Sequence, residues 1–326
     1  MVDDKNGLIS VALCTYNGEQ YITQQIQSIL NQTVLPDELI ICDDASTDLT
    51  LDLLEKVSAL SPIPIHIYKN EHNLGSTKNF EKAINLCQGD IIILADQDDL
   101  WYENKVEIFK DYFTHHPKVQ AAFSNGDMMD ANGNNLGYTL WDAFKLNSTE
   151  QASLNKGKGF EVLLKHNVVT GAAMAFRTDY KKLIFPIPEL WIHDGWIILL
   201  LSAVGEIQCI DQTLIKYRKH ALQQVGAVEP SLRHELRKVK ETDRSTYLLY
   251  ARQYLVALER LLSVYTHVKN PETMRLLADK AKHLLVRANI DRKLSRLPII
   301  SKELVTLNYF RYSNGIRSFL KDLFLY

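Results

Sequence analysis

The 326 residues, 46% hydrophobic, 23% charged and 9% aromatic, have the composition of a globular, enzyme-sized chain and exclude a disordered or fibrous one. Four scattered cysteines, Cys14, Cys42, Cys87 and Cys209, form no CxxC pair, which excludes a zinc knuckle or a disulfide framework and suggests a reducing, cytosolic setting. The net charge of −2 is uneven: residues 227–326 hold 19 Lys+Arg against 10 Asp+Glu and residues 1–226 hold 18 against 29, so the acidic body excludes a nucleic-acid groove while the basic tail suits an anionic surface or a solvated helical face.

Strands are predicted over 8–14, 38–43, 64–69 and 90–95, each a short β-branched or continuously apolar run of the kind buried in a parallel sheet. Between them, Ile22, Ile26, Ile29 and Leu30 recur at helical spacing. A second helix fits Thr47 to Leu60 with Ser46 as its cap, and a third fits Ser76 to Cys87, closed by Gly89. This βαβ alternation predicts an α/β fold.

Further along, 119–124 reads as a strand, Asn125 to Gly137 as a loop or hairpin, and Val168 to Arg177 as another apolar strand. Gly195 to Val204 reads as a buried helix and Glu206 to Tyr217 as one or two strands. From Leu232 to about Arg287 the apolar spacing is helical, broken at Asn270-Pro271, so the chain divides into a domain over 1–226 and a helical extension over 227–326. The N-terminus lacks a basic region followed by an apolar stretch, and Trp196 to Val204 is too short to span a bilayer, so the chain reads as neither secreted by that route nor transmembrane.

In open α/β sheets ligands bind beyond the carboxyl ends of the strands. Here those ends are polar: Thr15-Tyr16-Asn17-Gly18-Glu19, Asp43-Asp44-Ala45-Ser46 and Asp96-Gln97-Asp98-Asp99. No GxGxxG follows the first strand and no GxxxxGK[ST] occurs, which speaks against a dinucleotide site and a P-loop. The acidic cluster offers hard oxygen ligands for Mg2+ or Mn2+ carrying a diphosphate; the alternative is that Asp98 or Asp99 caps a helix starting near Trp101. Asp44 is a candidate acceptor for a base N–H, or else a cap.

Taken together, Val11-Ala-Leu-Cys-Thr-Tyr-Asn17, Ser28-Ile-Leu-Asn-Gln-Thr33, Ile41-Cys-Asp-Asp-Ala-Ser-Thr-Asp48, Asn73-Leu-Gly-Ser-Thr-Lys-Asn79 and Ala95-Asp-Gln-Asp-Asp-Leu-Trp101 resemble, in that order, the inverting family 2 glycosyltransferases of the GT-A fold. The resemblance covers about residues 7–225 and implies a mostly parallel Rossmann-like sheet with flanking helices, followed by the helical extension. It implies that Thr15, Tyr16, Asn17 and Glu19 line a nucleotide pocket, with Asp44 at the base edge and Lys78 near the nucleotide or the diphosphate. Asp96, Gln97 and Asp98 correspond to the DXD region, with Asp98, Asp99 and His220 as metal ligands and Arg218 beside the phosphates. Asp194, in Trp191-Ile-His-Asp-Gly-Trp196, corresponds to the acidic residue heading an acceptor-side helix and becomes the general base; the alternative is a helix cap. Where the family often has Glu-Asp, this chain has His193-Asp194.

The Asp-Gln-Asp-Asp-Leu-Trp variant, Tyr217-Arg-Lys-His220 and the basic tail look most like bacterial rhamnosyltransferases of cell-wall or capsule polysaccharide synthesis. That resemblance implies dTDP-L-rhamnose as donor, a lipid-linked saccharide as acceptor and a peripheral place at the cytoplasmic membrane face. The alternatives are a UDP-hexose donor and a non-catalytic sugar-nucleotide-binding scaffold subunit. In the tail, Tyr309-Phe-Arg-Tyr312 with Ile316, Phe319, Leu320 and Phe324 supplies an apolar stripe beside Arg311, Arg317 and Lys321, which suits an interfacial helix or packing on the domain or a second subunit, as in a homodimer.

Overall fold

The computed structural model describes residues 7–221, 223, 243–264, 271–290 and 296–324. It divides into two compact units, one made of Met1–Gln151 with Val169–Ala227 and the other of Ala152–Val168 with Val228–Tyr326. Residues 152–168, which the sequence places in the first domain, therefore group with the helices of the second.

The first unit opens with β1 (Ile9–Thr15), α1 (Ile22–Leu30), β2 (Glu38–Asp43), α2 (Thr50–Ser58), β3 (Ile65–Lys69), α3 (Ser76–Leu86) and β4 (Ile91–Asp96). These strands fall within a residue or so of their predicted limits: β1, β2 and β4 are runs buried on both faces, with all seven residues of β1 and the first five of β4 buried, while β3, at the sheet edge, is half-buried or exposed throughout. Next come β5 (Leu100–Trp101), α4 (Lys105–His115), β6 (Val119–Met129), β7 (Asn135–Thr139), α5 (Leu140–Phe144) and α6 (Ser148–Leu154). β6 and β7 form a hairpin, so the strand expected over 119–124 continues through the Asn- and Gly-rich stretch.

After α7 (Gly159–Lys165) the chain forms β8 (Met174–Arg177), α8 (Lys181–Ile184), α9 (His193–Val204) and β9 (Glu206–Arg218). The strand expected over 168–177 is thus confined to its last four residues, because Gly171–Ala173 turns as a 3-10 helix. The expected second helix likewise starts later, at Thr50. Ser46 does not cap it: its Oγ accepts from Asn17 N at 2.8 Å, and Asp48 Oδ1 takes the Thr50 N–H at 3.0 Å.

Among the described residues nine strands make one sheet in the order β3-β2-β1-β4-β8-β6-β9-β5, with β7 beside β6. β3, β2, β1 and β4 run parallel, β8 lies antiparallel to both β4 and β6, and β9 is parallel to β6. The chain leaves β1 in one direction through β2 and β3, then returns to place β4 on the other side of β1, so the strand order reverses between β1 and β4. That is the switch point where an open α/β sheet leaves a crevice. Register brings the polar tips together there: Cys14 faces Asp96, and Thr15 faces Asp43. Beneath the sheet α9 is apolar on every side, with Trp196 to Leu201 all buried.

The second unit contains α7 with α10 (Arg244–Val264), α11 (Pro271–Ala288), α12 (Arg296–Val305), α13 (Asn308–Tyr312) and α14 (Ile316–Phe324). Tyr247, Ala251, Leu284 and Ala288 form one apolar cluster, and Ile290, Ile300 and Tyr309 another. Between them runs a buried polar network in which the Arg287 guanidinium donates to both oxygens of Asp322 at 2.7 and 2.8 Å. Tyr309 OH also donates to Asp322, His283 pairs with Glu303, and Lys280 donates to the Tyr312 carbonyl. The helical pattern expected from Leu232 to residue 242 lies outside the described residues.

Candidate functional site

Gln97 joins the tips of β1 and β4. Its Oε1 accepts from Thr15 Oγ1 at 2.6 Å and from Tyr16 N at 2.8 Å, while its Nε2 donates to the Tyr16 carbonyl. A Cβ on Gly18 would lie 2.4 Å from Gln97 Oε1, so this clamp requires glycine. Asn17 sits in the left-handed region at φ 48° and accepts from Thr47 N through Oδ1, and Glu19 Oε2 accepts from Leu49 N at 2.9 Å. Thr15, Asn17, Glu19 and Gln97 therefore fix the shape of the rim. Tyr16, Asn17 and Glu19 are exposed, and Tyr16, at 41%, has its ring open to a flat partner.

Asp44 is buried in the adjoining rim: Oδ1 accepts from Asn70 Nδ2 and Leu74 N, and Oδ2 from Gly75 N. It holds the loop that starts α3. Lys78, in the first turn of α3, donates to Glu81 and to the Ile187 carbonyl at 2.7 Å, so it ties that helix to the segment before α9.

Four carboxylates gather at the end of β4. Asp96 is pushed up to about 7, first by burial and then by the charges of Asp98 and Asp194, with Lys105 opposing. Burial, followed by Asp98 and Asp96, also holds Asp99 well above the usual carboxylate range. Tyr217, buried at the end of β9, is raised by burial and then by all four of these acids. The mutual repulsion places the four close together in a site of low polarity, the arrangement that a cation relieves.

The structure divides the expected metal ligands. Asp98 Oδ2 lies 2.6 Å from His220 Nε2, while Asp99 points inward, accepting from Arg218 N through Oδ1 and leaving Oδ2 buried without a hydrogen-bond partner. Arg218 also departs from the expected phosphate contact. Its Nε donates to the Asp98 carbonyl at 2.7 Å, its Nη1 to the Ala131 carbonyl and its Nη2 to Gln24, with the guanidinium 4.4 Å from the Tyr21 ring centre. It braces the backbone that carries Asp98. The remainder of the expected Tyr217 to Gly226 loop, apart from Gln223, lies outside the described residues beyond Ala221.

Among the described residues no three His, Cys, Asp or Glu side chains form a ready metal cage. The donors nonetheless suit Mg2+ or Mn2+, which take few protein ligands and keep positions for water and phosphate. A carboxylate and an imidazole already meet at Asp98 and His220, and the orphaned Asp99 oxygen and raised Asp96 mark an excess of negative charge.

Asp194 lies in the first turn of α9, with Oδ2 accepting from Gly171 N at 2.9 Å and Oδ1 from Gly195 N. His193 beside it is buried and stacked on Phe80 at 3.9 Å between ring centres, with neither ring nitrogen hydrogen-bonded. Burial lowers its pKa against the pull of Asp194. Sequence reading missed Lys105, the first residue of α4. It is wholly buried, donates to the Ala172 carbonyl at 2.6 Å, sits 3.9 Å over the Trp101 ring and faces Asp99 and Asp96, whose charges oppose a burial that holds its pKa well below the usual lysine value. Its signal was slight: a single lysine opening a helix six residues after an acidic run.

Known proteins match this sequence and fold. The family model described as Glycosyl transferase family 2 matches residues 10–183. The dTDP-rhamnosyl transferase RfbG of Shigella flexneri is 37% identical over 232 residues, 66% of this chain and 74% of that one. The fold is similar to that of S. aureus TarS 1-349 in complex with UDP-GlcNAc, at TM-score 0.53 and 18% identity over 93% of this chain and 88% of that one. It is similar too to the mannosyltransferase PcManGT of Pyrobaculum calidifontis in complex with GDP-Man and Mn2+, at TM-score 0.52 and 14% identity over 98% and 85%. These likenesses identify the α/β domain as GT-A-like, followed by a helical region.

Proposed function

The chain belongs to glycosyl transferase family 2, and from that premise we propose that it moves L-rhamnose from dTDP-L-rhamnose onto a hydroxyl of a lipid-linked saccharide, with inversion at the sugar carbon. One observation carries the reading: Asp96, Asp98 and Asp194, from two strand-end and helix-start segments, act on one another electrostatically at the switch point of the sheet. The 37% identity to a dTDP-rhamnosyl transferase supports rhamnose as the sugar. UDP-GlcNAc or GDP-mannose, the nucleotide sugars bound by the two structural neighbours, is the alternative donor. A scaffold subunit without activity would have no use for a base beside the donor pocket.

In this reading the exposed Tyr16 ring stacks on the base, while the rim built by Thr15, Asn17, Glu19 and Gln97 holds the nucleoside. Asp44 and Lys78, both engaged with protein groups, reach the nucleotide only through their remaining lone pairs and N–H groups. Asp98 and His220 would hold Mn2+ or Mg2+, which when bound neutralises charge on the departing diphosphate. Asp194 Oδ2 or Oδ1 takes the proton of the acceptor hydroxyl as that oxygen attacks, and the Gly171 and Gly195 N–H groups keep the carboxylate aimed. Lys105 and Arg218 stay in the interior: one offsets the acids from below and the other fixes the Asp98 backbone. The site of action is the cytoplasmic face of the membrane, where lipid-linked saccharides are extended. Incubation with each nucleotide sugar and a lipid-linked saccharide tests the reading: release of dTDP with a rhamnosylated product supports it, and product only with UDP-GlcNAc or GDP-mannose replaces the donor.

A further inference from the structure

Helix α14 is built inside out. Its polar residues Ser318 and Asp322 face inward, Asp322 at 0% exposure in the grip of Arg287 and Tyr309. Three of its apolar residues, Ile316, Leu320 and Phe324, face outward at 50%, 44% and 72% exposure, while Phe319 packs inward on the Tyr309 cluster. Spaced four residues apart, these three lie on one side of the helix in a row of about 12 Å. Phe310 extends the row, because its ring lies against Gly315, where an added Cβ would come within 3.0 Å. Tyr309 and Tyr312, expected in the stripe, are instead buried, Tyr309 with its hydroxyl on Asp322, and Phe319 packs against Tyr309.

Charge follows the same division. Over residues 296–324 the acids are Glu303 and Asp322, both buried and paired with His283 and Arg287. The exposed charges of this stretch are Lys302, Arg311 and Arg317, all basic. An exposed apolar row normally costs free energy in water, and a salt-bridged interior of this kind rigidly holds it outward. A protein partner would satisfy the row, but it would not explain why both acids of residues 296–324 are withdrawn into the interior while Arg311, which acts on the exposed Glu272 of α11, and Arg317 stay outside. An anionic bilayer satisfies both, since headgroup phosphates meet the arginines while the apolar row enters the acyl boundary. No helix among the described residues is long and apolar enough to cross a membrane, so the contact is with the surface.

We propose that α14 and Phe310 form a docking face for the surface of an anionic lipid bilayer, entered by Ile316, Leu320 and Phe324 and steered by Arg311 and Arg317. This deepens the reading of a lipid-linked acceptor and rests on it for its purpose, although lipid binding is measured without sugar transfer.

The test is co-sedimentation of the full chain with vesicles of phosphatidylcholine containing 30% phosphatidylglycerol, against vesicles of phosphatidylcholine alone. Binding should favour the anionic vesicles by on the order of tenfold or more and weaken in 0.5 M salt. Leu320→Ser with Phe324→Ser should abolish it, and Arg311→Ser with Arg317→Ser should lower it about tenfold, since each basic residue near the surface adds a severalfold gain. Both variants keep Asp322 and Arg287 and should retain the melting temperature and calorimetric donor binding of the parent. Equal binding to both vesicle types, no binding to either, or full binding by the serine variants would overturn the proposal. So would a dimer in light scattering that the Leu320→Ser, Phe324→Ser variant dissociates, because the row would then be covered by a second copy. Donor binding that persists without lipid binding would leave the transfer reading standing.

Discussion

The Nε2 of His220 lies 2.6 Å from Oδ2 of Asp98, across a separation of 122 residues in the chain. The strand β9 ends beside the β4 tip because β5, only two residues long, pairs Leu100 with Lys216 and Trp101 with Ile215. A short ladder thus brings an imidazole to a carboxylate already pressed by like charges. The two donors are adjacent enough to share one divalent ion once it separates them.

His220→Ala should therefore raise the Mn2+ concentration needed for half-maximal transfer by roughly 10–100-fold, with a smaller change in saturated turnover. Metal titrations of the transfer rate measure this, and the melting temperature checks the fold. An unchanged metal requirement would remove His220 from the ion's shell.

Asp194→Asn should lower turnover by about 10²–10⁴-fold while donor affinity stays within a few-fold. The amide oxygen can still accept from Gly171 N, which keeps that contact at the start of α9, while the Gly195 N–H loses its acceptor. Steady-state kinetics together with donor calorimetry separate the two effects, and near-normal turnover would assign the base to another group.

The raised Asp96 has a consequence for stability. Its folded pKa of about 7 exceeds the ordinary 3.8, so the folded state holds its proton more tightly than the unfolded one. The contribution is fully present below about pH 4 and is lost as pH rises through 7. In EDTA, the melting temperature difference between the parent and Asp96→Asn should shift in favour of the variant from pH 5.5 to pH 8. Added Mn2+ at pH 8 should stabilise the parent more than the variant. A pH-independent difference would mean that Asp96 is ordinarily ionised.

Lys105→Met should destabilise the protein by about 3–5 kcal/mol, because it strands buried carboxylates without their cation and leaves the Ala172 carbonyl unpaired. Denaturant unfolding at pH 8 reads the loss. The loss should shrink at pH 5.5, where Asp96 carries its proton, and a loss independent of pH would make Lys105 a packing residue only.

Much of this site was legible before the structure. The tips of β1, β2 and β4 were visible because continuous apolar runs end abruptly in Thr15, Asp43 and Asp96, and parallel register then leaves those residues side by side. What stayed hidden depended on partners far along the chain. Ser46 looks like a helix cap until Asn17, across the β1 turn, claims its hydroxyl. Val168 to Arg177 looks like one strand until Asp194 takes the Gly171 N–H and a 3-10 turn forms there. Arg218 looks like a phosphate ligand until its donors are found on Asp98, Ala131 and Gln24. Apolar periodicity detects the row on α14 but does not say which way it faces; the Arg287 to Asp322 pair decides that.

The most direct test of the central claim is calorimetric binding of dTDP-L-rhamnose, UDP-GlcNAc and GDP-mannose, each with and without Mn2+. The account predicts Mn2+-dependent binding of dTDP-L-rhamnose that exceeds the other two and that Asp98→Asn weakens at least tenfold. Equal binding with and without the metal, or preference for a UDP or GDP sugar, would contradict it.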